Sequence, residues 1–93
     1  MIEFQSKHNP LDGLLPAAQW LAENAESVFP TPKTWEFFRK SHRDELVREG
    51  ALFLSSGSRP DYVDVHTIGT VVREILRRES LARLVSSESA VSL

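Results

Sequence analysis

No cysteine occurs among the 93 residues, which excludes a disulfide framework and a thiolate metal site and leaves the core to stabilise itself. Glycine is scarce, with 4 residues, and no glycine-rich loop of the kind that cradles phosphate is present. The longest uninterrupted apolar run, Ala51 to Leu54, is far shorter than a membrane span needs. An apolar signal-peptide core is also missing at the start, so the expectation is a soluble, cytoplasmic protein. Ser55, Ser56 and Ser58 lie in no nucleophile elbow, and no close carboxylate pair marks a cleft. His8, His42 and His66 have no metal-ligand spacing. These absences point away from an enzyme, and no cofactor, metal or small-molecule substrate is implied.

What remains is the make-up of one small folded domain: 41% hydrophobic and 26% charged residues in a chain long enough for a single core. The net charge of −2 is mildly against a protein that coats nucleic acid. Its distribution is more informative. Residues 1–30 carry Lys7 against Glu3, Asp12, Glu23 and Glu26, whereas residues 31–43 carry Lys33, Arg39, Lys40 and Arg43 against Glu36. Positive charge therefore peaks on one short stretch, which favours a small, directed anionic footprint.

That stretch reads as a helix. Thr31 is suited to cap it and Pro32 to its first position, where the missing N–H costs nothing. Trp35, Phe38, His42 and Leu46 recur at helical spacing and form the packed stripe, while Lys33, Glu36, Lys40 and Arg43 project from other sides. Ser41-His42-Arg43-Asp44 resembles a capping sequence, so the helix either continues past Lys40 or restarts there. Gly50 stops it.

Residues 1–10 have no sustained period and read as an arm. A short first helix begins near Pro16, with Ala17, Leu21, Ala25 and Val28 on one face and Trp20 beside them, and Phe29 plugs the core in the turn that follows. Ala51–Ser55 and Tyr62–Val65 are β-prone runs separated by turn formers, which predicts a hairpin. Asp61 suits the turn and Asp64 a cap for a last helix, whose stripe is Ile68, Val71, Val72, Ile75 and Leu76. Gly69 in its first turns suggests close packing, and the residues after Val85 read as a frayed tail. The domain is thus placed at residues 11–85, with a flexible tail at 86–93. The fold class is mainly α with a small β-hairpin, in the order helix, turn, helix, hairpin, helix: a winged helix-turn-helix.

The pattern L-L-P-A-A-Q-W-L-A, F-P-T, T-W-E-F-F-R-K-S-H-R-D-E-L-V-R-E-G-A-L, G-S-R and V-D resembles small bacterial DNA-binding proteins of phages, plasmids and integrative elements, of the excisionase and MerR-like winged-helix kind. The resemblance covers about residues 11–79. It implies a recombination directionality factor or small transcriptional regulator that binds double-stranded DNA near attachment or promoter sites, with no catalytic centre. Helix 31–43 would enter the major groove and hairpin 51–65 would act as the wing.

Thr31, Lys33, Thr34, Lys40 and Arg43 are the leading DNA contacts on the helix, and Ser58 and Arg59 on the wing. Each of these alone is an ordinary solvated side chain; it is the cluster in this order of elements that points to DNA. Arg39 either joins them or lays its stem along the core and pairs with an acid. Glu36 can accept from a cytosine amino group but repels phosphate. Phe37 falls on the side of Lys33 and Lys40, where it touches a thymine methyl or a partner, or packs against the hairpin. The alternative is a protein-interaction module on the same scaffold, with Phe37 or the flank of the last helix as its contact. Arg73, Arg77, Arg78 and Arg83 interleaved with Leu76, Leu81, Leu84 and Val85 would there serve a recombinase, another partner or a second copy.

Overall fold

Leu46, Ala51, Leu52, Val63, Ile68 and Ile75 have essentially no exposed surface and form the centre of the core. The structure, a computed structural model, describes residues 9–91, with side chains to Ser86. Residues 1–8 of the expected arm and residues 92–93 of the expected tail lie outside the described residues. The architecture is mainly helical with a small three-stranded antiparallel sheet, in chain order β1 (Leu14–Pro16), α1 (Ala17–Asn24), α2 (Pro32–Ser41), α3 (Arg43–Arg48), β2 (Leu52–Phe53), β3 (Tyr62–Asp64) and α4 (Ile68–Val91). No helix among the described residues is long and apolar enough to cross a membrane.

β1 has no counterpart in the sequence reading. It pairs antiparallel with β3, Leu15 opposite Val63, while β2 pairs with the other side of β3, Leu52 opposite Val63, so the spatial order is β1-β3-β2. Three residues ending in proline show no alternation, and proline is tolerated here because β1 is an edge strand. Gly13 leads into it with φ +93°, and its carbonyl accepts from Val65 N–H at 2.8 Å. A Cβ at Gly13 would stand 2.7 Å from the His66 ring, so the entry to β1 depends on glycine for both conformation and space.

α1 buries Ala17 and Trp20, but it ends at Asn24, and Val28 is 46% exposed rather than on the packed face. The chain leaves helical geometry at Ala25 (φ −128°), so the helical spacing no longer carries Val28 inward; Phe29 takes that place at 7% exposure. Trp35 meets both Trp20 and Phe29 edge to face, with ring centroids 5.7 and 5.2 Å apart, and Phe38 lies 5.1 Å from Phe29. Such pairs add about 1 kcal/mol each beyond their burial.

α2 and α3 are two helices, not one. His42 closes the first and opens the second with φ −123° and ψ 22°, its N–H donating to Phe38 and its carbonyl accepting from Leu46. The break turns α3 so that Leu46 is fully buried. At the end of α3, Gly50 N–H donates to Val47 and Ala51 N–H to Leu46, with Gly50 at φ +76°: a Schellman closure that feeds Ala51 and Leu52 into the core.

α4 starts later than a cap at Asp64 would place it. The Asp64 carboxylate accepts from His66 N–H at 2.9 Å, making a turn, and the helix begins at Ile68. Ile68, Val72 and Ile75 pack and Val71 is partly buried, while Leu76 is 36% exposed at the edge of the stripe. A Cβ at Gly69 would meet nothing within 4 Å, so close packing is not what this glycine provides. The helix is described as far as Val91.

Candidate nucleic-acid interface

The capping of α2 decides which of its groups face outward. Thr31 and Thr34 form a reciprocal box: the Thr31 hydroxyl accepts from Thr34 N–H at 3.3 Å, and the Thr34 hydroxyl accepts from Thr31 N–H at 3.3 Å. The Thr34 hydroxyl also donates to the Thr31 carbonyl at 2.6 Å. Both threonines are exposed, as a DNA contact requires, but their hydroxyls are engaged in holding the helix start. With Pro32 lacking an N–H and that of Thr34 capped, Lys33 offers the backbone donor left for an anion at the first turn among the described residues.

Opposite the buried Trp35 and Phe38, one line along α2 carries Lys33, Phe37 and Lys40, all exposed. Neither lysine has a carboxylate within 4 Å among the described residues. Phe37 is 75% exposed, which corrects the expectation that it packs against the hairpin. The sheet joins the core through Leu52 and Val63, on the far side of α2, so a residue on the Lys33–Lys40 line has nothing there to pack against. Phe37 shares a shallow, mainly apolar groove with Phe29, Phe38, Lys33, His42 and Glu79 instead.

Arg39 belongs to a different device. It is largely covered, with 22% of its side chain exposed, and lies 3.5 Å from both Glu36 and Asp61. Of the two readings for Arg39, pairing with an acid is the one observed. Asp61 in turn accepts from Ser55 N–H at 3.2 Å across the base of the β2–β3 loop. This one carboxylate therefore joins the loop to α2, and Glu36 has its charge partly met by Arg39. At the loop tip Gly57 has φ +69°, and Ser58 and Arg59 are exposed.

Beyond the α2–α3 break the positive surface continues through Arg43 and Arg48, both exposed, around a polar depression that also includes Lys40, Asp44, Glu45 and Glu49. Arg43 has a distant companion in Asp44 at 3.8 Å. Glu45 is held by Arg78 of α4 through a paired contact at 2.7 and 2.8 Å. The hydrogen bond from Arg78 holds the Glu45 carboxyl below its ordinary range and raises Arg78 in return. A second link joins His42 Nε2 to Glu79 Oε2 at 2.8 Å, and the two fix α4 across the α2–α3 corner.

Of the residues expected to contact DNA, Lys33, Thr34, Lys40 and Arg43 thus share one exposed side of the helical pair, Thr31 sits at its start, and Ser58 and Arg59 sit on the separate loop. Phe37 and Arg48 join this surface. The helical wheel already placed Phe37 there; Arg48 became visible only once the break at His42 set the direction of α3. No protein-family model, curated protein or solved structure matches the chain.

Proposed function

We propose that this protein binds double-stranded DNA, with α2 in the major groove and the β2–β3 loop as a wing along the neighbouring backbone, so that the fold works as a winged helix-turn-helix. The observation that carries the reading is the Lys33–Phe37–Lys40 line: two cations without acidic partners among the described residues flank an aromatic ring that is 75% exposed. Lysines meet phosphates, and an apolar ring between them suits a thymine methyl. The sheet order β1-β3-β2, with its open loop between β2 and β3, supports a wing. The Arg39–Asp61 contact would hold that wing at a set angle to α2. A domain that contacts DNA in this way would act as a recombination directionality factor or a small regulator, shaping or marking a site for other proteins.

An amide chemical-shift titration with a short mixed-sequence duplex, at low and then moderate salt, tests this. Shifts concentrated at residues 31–43 and 56–60 that fade with salt are expected. An unaltered spectrum at low salt would favour the second reading, a protein-interaction module, for which the apolar groove beside Phe37 is the specific observation.

A further inference from the structure

The distal half of α4 leaves the body of the protein. Ile75 is its last buried residue, Arg78 and Glu79 make its last described links to α3 and to the His42 corner, and every residue from Leu76 to Ser86 is exposed. Leu81, Leu84 and Val85 are 46%, 54% and 61% exposed. With about 3.6 residues per turn, Ile68, Val72 and Ile75 fall within roughly 60° of one another on the core side, whereas Leu81 and Leu84 fall on the opposite side. The second apolar stripe is therefore not an extension of the first. The domain cannot cover it while Ile75 stays in the core.

A helical arm whose described side chains, Leu76 to Ser86, are all exposed is marginal in water on its own, and a partner would stabilise it. The spacing of the stripe says which. Arg77, Leu81, Leu84, then positions 88 and 91, a glutamate and a valine in the sequence, follow one another at alternating intervals of four and three, the seam of a two-helix coiled coil. Two charged residues interrupt this seam, positive at 77 and negative at 88. In a parallel pair each would face its own like charge. In an antiparallel pair with the two-fold axis between residues 82 and 83, Leu81 of each copy meets Leu84 of the other, and position 77 of each meets position 88 of the other. Only the antiparallel orientation pairs the charges at 77 and 88 with their opposites. Arg77 has a single described companion, Glu74 at 3.5 Å on its own helix, with both side chains more than half exposed, so little opposes a new pairing.

We propose that the distal half of α4 is a self-association surface, on which a second copy of this chain docks antiparallel through Leu81 and Leu84, with the charges at 77 and 88 fixing register and direction. The apolar contact rests on two leucines per copy, which calls for weak, concentration-dependent association.

Sedimentation equilibrium of the full chain from about 5 to 500 μM, without DNA, tests this independently of the proposed function. The mass is expected to rise from monomer to dimer. Leu84→Glu should remain monomeric throughout while keeping the near-ultraviolet circular dichroism of the buried Trp20 and Trp35, since Leu84 contributes nothing to the core. Arg77→Glu and Glu88→Arg should each weaken association at least tenfold, and the two together should restore it. A parent chain monomeric across the range overturns the proposal; so does a charge-swapped double variant that associates no better than the single variants.

Discussion

Removing Lys33, Lys40 and Arg43 together, each to alanine, tests the DNA-binding reading in a way its magnitude makes decisive. All three side chains are exposed, and the one described companion among them is Asp44, 3.8 Å from Arg43. Their loss should move the free energy of unfolding by less than about 0.5 kcal/mol each, as for other surface substitutions. On duplex DNA each phosphate contact contributes about 0.9 to the slope of log affinity against log salt. Three lost contacts should make that slope shallower by about 2.7. Between 50 and 200 mM salt the parent should then lose about fortyfold more affinity than the variant. Fluorescence anisotropy with a labelled mixed-sequence duplex measures both slopes, with circular dichroism melting as the folding control. A folded variant whose slope stays within about 0.5 of the parent's would remove α2 and the start of α3 as the phosphate-binding face.

Phe37→Ala should leave the unfolding midpoint almost unchanged, because the ring is 75% exposed, yet weaken duplex binding by a factor on the order of ten in the same anisotropy assay. Gly50→Ala should destabilise by about 1 kcal/mol in urea, because φ +76° penalises a Cβ that otherwise meets nothing within 4 Å; an unchanged midpoint would mean that the Schellman turn relaxes freely. Glu45→Gln should lower the thermal midpoint at neutral pH and not in strong acid. Arg78 lowers the folded-state pKa of Glu45, so its contribution is complete above the unfolded carboxylate value and is lost as pH falls through the folded one. An equal deficit at both pH values would trace the effect to something other than charge.

What was legible in the sequence was legible for local reasons. The Thr31–Pro32 start, the Trp35–Phe38–Leu46 stripe, the Gly50 stop and the two runs around the hairpin rest on residues whose own conformational preferences act within a few positions, and the structure bears them out. The break at His42 left two continuations equally open to local reasoning; the structure takes the restart. β1 was illegible because a three-residue edge strand owes its existence to β3, almost fifty residues away in the chain. Val28 failed for the opposite reason, a periodic rule carried past the end of α1, and Gly69 because its composition signal said nothing of which side of α4 it occupies, which is the open one. The candidate site was legible as a cluster of cations, but not as an ordered surface, since which cation pairs and which stays open depends on acids contributed from other elements.

Arg39 shows why that distinction matters for function. It lies within the most basic stretch of the chain, and by composition alone it counts with Lys33, Lys40 and Arg43. Asp61 and Glu36 take it out of the outward-facing set. The same contact ties the base of the β2–β3 loop to α2, because Asp61 also holds Ser55 N–H. If the loop acts as a wing, its position relative to α2 is then governed by a charge that never needs to touch DNA. Asp61→Asn would separate the two roles: the amide oxygen retains an acceptor for Ser55, while the charge opposite Arg39 is gone. The expected result is a folded protein in which duplex-induced shifts persist along α2 and diminish at residues 56–60. Equal loss at both places would show instead that α2 and the loop bind as one rigid unit whose shape depends on the Arg39–Asp61 charge contact.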